Sequence, residues 1–98
     1  MIYHVTHQTA WLQQAGSNLF EPESLKTEGF VHCCTHEQLE GVLSRYFAGQ
    51  NALLLLHLDE MRLPYLKYEM ATGGESFPHL YGPIPKQAIE RVEPIGTE

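Results

Sequence analysis

Six histidines, two adjacent cysteines and one stiff aromatic segment carry most of what this 98-residue chain offers to chemistry. His32 lies in Gly29-Phe30-Val31-His32-Cys33-Cys34-Thr35, among residues suited to a buried pleated surface. Strand alternation puts Phe30, His32 and Cys34 on one face and Val31, Cys33 and Thr35 on the other. An imidazole in such a run needs a hydrogen-bond partner, either a backbone carbonyl in the core or a ligand at a cleft. The spacing of His4 with His7, and of His32 with His36, raises a metal site. Against it, no Cys-x-x-Cys pair exists, and His32 and His36 straddle a strand–helix junction rather than one helix face. No metal is expected. A thiolate nucleophile at Cys33 or Cys34 could draw on the following helix N-terminus, yet both thiols sit among apolar neighbours.

The second unusual stretch is Glu75-Ser76-Phe77-Pro78-His79-Leu80-Tyr81-Gly82-Pro83. Its prolines and glycine restrict the backbone and hold His79 and Tyr81 two residues apart. It reads either as a packed surface turn anchored by Phe77 and Leu80, or as a rigid wall showing an imidazole and a phenol to a cleft. Glu69 joins a site only if it faces the same cleft as His4 and His32.

The elements that must position these groups follow from periodicity. Ile2–Thr6 reads as a strand with Tyr3 and Val5 on one face and Ile2, His4 and Thr6 on the other. A short helix over His7–Ala15 follows, capped by Thr6, with Trp11 and Leu12 inward. Ser17–Glu28 reads as a long loop. Thr35-His36-Glu37-Gln38 has capping-box spacing and opens the clearest helix, in which Leu39, Val42, Leu43, Tyr46 and Phe47 share one face. Leu53-Leu54-Leu55-Leu56-His57-Leu58 is a strand covered on both faces, and Tyr65–Met70 one with a wetter face. Gly73-Gly74 makes a turn. Phe77–Pro85 holds too much proline for a regular central strand, and Ala88–Ile95 forms the last one. The pattern is α+β with a mostly antiparallel sheet and two helices, in a single domain over residues 1–98.

Composition narrows the function. Twelve acidic against six scattered basic side chains, net charge −6, argue against duplex nucleic acid as a partner. The longest apolar run is far too short for a membrane span. With no leader-like start and no disulfide framework, a reducing cytoplasm is the expected location.

The motifs together, Ile2-Tyr3-His4-Val5-Thr6, Gly29 to Thr35 with Gln38-Leu39, Glu69, and Phe77-Pro78-His79-Leu80-Tyr81-Gly82, resemble a small, mostly bacterial domain-of-unknown-function family, nine-five-two in that series. That family is grouped by fold with the ADP-ribosyltransferase superfamily. The resemblance implies a split, strongly bent sheet gripping NAD or a related ribose phosphate, and an enzyme of the transferase or glycohydrolase kind. His4 matches the first-strand residue that holds a ribose, and His32 the residue that packs on nicotinamide. Glu69 and the His79/Tyr81 pair compete for the third position. Expected catalytic residues are therefore His4, His32 and Glu69, and expected ligand-binding residues Thr35, His79 and Tyr81. The alternatives are a nucleotide- or protein-binding module on the same fold, and a thiol or metal protein built on Cys33 and Cys34.

Overall fold

The computed structural model describes residues 1–71 and 73–96. Its centre is the leucine run. Strand β4 (Leu53–Leu58) lies between β1 (Ile2–His7) and β8 (Ile89–Ile95), antiparallel to both. Alternation along β4 sends Leu54, Leu56 and Leu58 into one apolar cluster with Ile2, Phe20, Val31, Leu80 and Ile84. Leu53 and Leu55 go into another, with Tyr3, Val5 and Cys34. A strand that feeds two cores must be apolar throughout, which is why its sequence shows no alternation. The face division expected for β1 is the one observed, with Ile2 in the first cluster and Tyr3 and Val5 in the second.

A second three-stranded antiparallel sheet has the order β3 (Val31–His32), β6 (Ser76–Leu80), β5 (Leu66–Met70). The two sheets meet at one residue pair. Tyr3 donates its N–H to Cys34 O at 2.8 Å, and Cys34 returns the bond to Tyr3 O at 2.9 Å. A two-stranded ribbon of β2 (Leu19–Phe20) and β7 (Ile84–Pro85) buries Phe20 and Ile84 completely. The architecture is α+β with split, antiparallel sheets.

Three α-helices, not two, are present among the described residues: α1 (Gln8–Gln13), α2 (Glu23–Thr27) and α3 (His36–Tyr46). The extra one, α2, and β2 both lie inside the segment read as a loop. Pro22 at the N-cap starts α2, and its five residues are too few to show periodicity. Helix α1 takes His7 as its N-cap because β1 runs one residue past Thr6, and the rotation leaves Leu12 exposed while Trp11 packs on the first cluster. The capping box of α3 forms as spelled, with Thr35 N donating to Gln38 Oε1 at 3.0 Å. Gln38 is buried, and its Nε2 donates to Ser76 O at 2.7 Å, tying the helix start to β6. Leu39, Val42, Leu43 and Phe47 pack on the second cluster, while Tyr46 turns outward.

The other difference concerns Pro78. It occupies the middle of a central strand, which its missing N–H should forbid. The geometry removes the conflict. Pro78 O accepts from Cys33 N at 3.1 Å, so its ring nitrogen also faces β3, one residue past the end of the β3 ladder. The absent donor would have served a pair at which the chain is already leaving toward Tyr3. Gly73 and Gly74, with φ of +101° and +85°, supply the left-handed turn that returns β5 to β6.

Candidate functional site

Leu66, Pro78, Leu80 and Val31 point into the core from the β3–β6–β5 sheet, so the intervening residues must face away from it. The register sets His79 directly between His32 and Lys67, and Glu69 opposite Phe77. Four residues singled out from sequence, His32, Glu69, His79 and Tyr81, are thereby brought onto one outer face.

Glu69 is the centre of that group. His79 Nδ1 donates to Glu69 Oε1 at 2.8 Å, and Tyr81 OH donates to the same oxygen. The Tyr81 bond, then the His79 bond, hold the Glu69 carboxyl below the usual carboxylate range, while the same contact raises the Tyr81 phenol. Glu69 is thus an oriented anion, with its side chain 40% exposed against 16% for His79. Phe30 stacks on the His79 ring at 4.1 Å and 19°, fixing the imidazole plane. Phe30 also lies 4.7 Å from the His32 ring and 5.5 Å from that of Tyr81. His32 Nε2 donates to Glu28, with both carboxylate oxygens at 3.1 Å. Lys67 Nζ stands 5.7 Å from the Tyr81 ring centre. The result is a platform of two imidazoles, two rings and two carboxylates on a rigid sheet.

His4 stands behind this platform. Its Nδ1 donates to the His32 backbone carbonyl at 2.7 Å. A carbonyl only accepts, so Nδ1 carries a proton; burial lowers the pKa to about 4, which keeps the ring neutral. The His4 ring tilts against Phe20 at 6.3 Å in the first cluster, whereas the His32 ring is exposed beside Glu28. The two rings do not share a pocket; they are coupled through the His32 backbone. The core histidine bonded to a carbonyl, weighed above for His32, is the environment of His4. Thr35 is half-buried at the start of α3, occupied with the capping box.

Phe30, Glu28 and Lys67 are neighbours of this group that sequence reasoning passed over. Phe30 had a signal, since alternation already put it on the His32 face. Glu28 and Lys67 reach the site through a turn and a cross-strand register that no local pattern encodes. The thiols lie elsewhere in character. Both are buried, and burial pushes Cys33 far up and Cys34 to about 11, the reverse of an activated nucleophile. Two open depressions, of about 420 and 530 Å³, flank Lys86 and Gln14 and contain no histidine, cysteine or tyrosine. The reactive groups are on an open face, not in those depressions. No helix among the described residues is long and apolar enough to cross a membrane.

The split antiparallel sheets are an α+β architecture that known structures share. A family model described as protein of unknown function (DUF952) matches residues 5–92, and the chain belongs to that family. The fold is shared with protein CC0527 from Caulobacter crescentus. Its crystal structure is 30% identical with a TM-score of 0.87, over 95% of this chain and 83% of that one. Its solution structure, also 30% identical, gives a TM-score of 0.83 over 97% and 84%. Comparison with curated proteins finds no match.

Proposed function

We propose that this protein binds a ribose-phosphate ligand of the NAD type on the outer face of the β3–β6–β5 sheet, with an ADP-ribosyltransferase-like use of Glu69. The observation that carries the reading is the ionised Glu69 carboxylate, fixed by His79 and Tyr81 beside the half-buried Phe30 ring and the exposed His32 imidazole. Cleavage of a nicotinamide–ribose bond develops positive charge on the sugar. A preorganised carboxylate stabilises that charge, and oriented imidazoles hold the ribose hydroxyls. In this reading His32 and His79 contact the ligand, Tyr81 and Phe30 flank it, and His4 positions the β3 backbone. Thr35 caps α3, and its capping box fixes the start of that helix just after β3.

A second reading, binding without turnover, is favoured by one feature. Both donors converge on the same Glu69 oxygen, and the face is open to water. Titration with NAD and ADP-ribose, followed through the His32 and His79 ring resonances, tests the ligand class. Tyr81→Phe and His79→Ala should each weaken binding by about two- to twelvefold, the loss of one neutral hydrogen bond. Nicotinamide release by wild type, abolished in Glu69→Gln, separates the enzyme from the binding module. Wild-type protein that binds neither ligand refutes both readings.

A further inference from the structure

Strand β5 is an edge: its sheet has the order β3–β6–β5, and no strand among the described residues pairs beyond it. The direction of its backbone groups is fixed by bonds at either end. Tyr81 N donates to Tyr65 O at 3.0 Å, and Ala71 N donates to Glu75 O at 2.8 Å. Residues 65, 67, 69 and 71 therefore direct their N–H and C=O groups toward β6, and Leu66, Tyr68 and Met70 direct theirs outward. No hydrogen bond among the described residues takes up those outward groups. The strand's side chains are exposed: Tyr65 is 75% exposed, Met70 70% and Tyr68, whose hydroxyl donates to Glu60, 48%.

We infer that this edge pairs with the same edge of a second copy, antiparallel about Tyr68, and so joins two platforms into one continuous sheet. The sequence Leu66-Lys67-Tyr68-Glu69-Met70 is self-complementary about its centre. Tyr68 meets Tyr68 of the second copy, Leu66 meets Met70, and Lys67 meets Glu69. Only this register uses all the outward groups in reciprocal pairs, giving roughly six backbone hydrogen bonds. It also puts Lys67 and Glu69 in the non-hydrogen-bonded positions, where facing side chains come closest. The opposite edge of the molecule contrasts with this one. Pro94 removes a backbone donor from β8, and its Glu93 is already engaged by His57 at 2.9 Å. Pairing through β5 brings a cation from the second copy to Glu69, on the same outer face as His79 and Tyr81. The inference goes beyond the proposed ligand and does not depend on it.

A strand-edge contact is small, so the expected dimer is reversible. Sedimentation equilibrium from about 10 µM to about 1 mM should show wild type moving from monomer to dimer. Lys67→Glu and Glu69→Lys each place like charges opposite one another at both ends of the pair, and each alone should associate about tenfold more weakly or worse. An equimolar mixture of the two variants restores both opposite-charge pairs and should associate to within about threefold of wild type, which also shows that each variant folds. Amide exchange at Leu66, Tyr68 and Met70 should slow with concentration, while Lys67 and Glu69, already bonded to β6, stay unchanged. A wild type that remains monomeric to about 1 mM, single variants that associate like wild type, or a mixture that fails to associate would each overturn the inference.

Discussion

Acidification should destabilise this protein through His4 before it acts through any carboxylate. His4 is buried, neutral and bonded to the His32 carbonyl, with a pKa lowered from 6.5 to about 4 by burial. The unfolded chain binds a proton on His4 near its ordinary pKa, and the folded chain resists it. Between those two values the unfolded state holds more protons, so stability is fully present above about pH 6.5 and falls as the pH drops toward about 4. The loss is about 1.4 kcal/mol at pH 5.5 and about 2 kcal/mol at pH 5.0 relative to pH 8, using the two pKa values. For a domain of this size, the loss at pH 5.5 lowers the melting temperature by roughly 6–11 °C. Glu69 and Glu93 have lowered pKa values, so their contributions are lost only further down in pH. The assay is urea unfolding from pH 8 to pH 5 for wild type and His4→Phe, which keeps a ring and removes the titrating group. The variant should lose about 1–3 kcal/mol at pH 8, for the unmet His32 carbonyl, and should then show little of the wild-type decline. A wild type with no decline between pH 7 and pH 5, or a variant that declines in parallel, would refute this account of His4.

Other outcomes follow from the packing. Gln38→Ala breaks both the capping box and the bond to Ser76 O, and should cost about 1–3 kcal/mol by urea unfolding; a loss under about 0.3 kcal/mol would mean the helix start is not held there. Leu56→Ala, at a fully buried position between β1 and β8, should cost about 2–5 kcal/mol in the same measurement. Cys33 and Cys34 should react with a thiol reagent at pH 8 only after urea is added, and rapid labelling of native protein would reopen the thiol reading.

The parts of this fold that were legible in the sequence are those written in short-range patterns. Alternation in Ile2–Thr6 gave the correct division of faces between two clusters, and Thr35 with Gln38 spelled the capping box that forms. What stayed hidden depends on residues far apart in the chain. Pro78 sits in a central strand because β3 turns away at that row, and nothing near Pro78 announces where β3 ends. His4 and His32 look alike as histidines in apolar strands, yet one faces the Phe20 cluster and the other the solvent. Their difference is set by how the two sheets meet. The Glu69–His79–Tyr81 group was legible as residue types; its convergence on one oxygen required the β5–β6 register.

The pairing of β1 with β4 has a consequence for how the chain is made. Ile2 lies opposite Leu58 and His7 opposite Leu53, so β1 has no ladder partner until β4 has followed it. The β5–β6 hairpin, by contrast, closes locally, with Met70 opposite Ser76. Local pairings form quickly and long-range ones wait on chain closure, so the N-terminal strand is the late arrival although it is synthesised first. During that interval an apolar segment stands with its β4-facing edge unpaired, which is the kind of surface that misassembles or recruits a chaperone. The seam between the sheets rests on the single bridge of Tyr3 and Cys34. A nascent chain stalled before Leu53 would hold neither the β1–β4 ladder nor the β5–β6 hairpin.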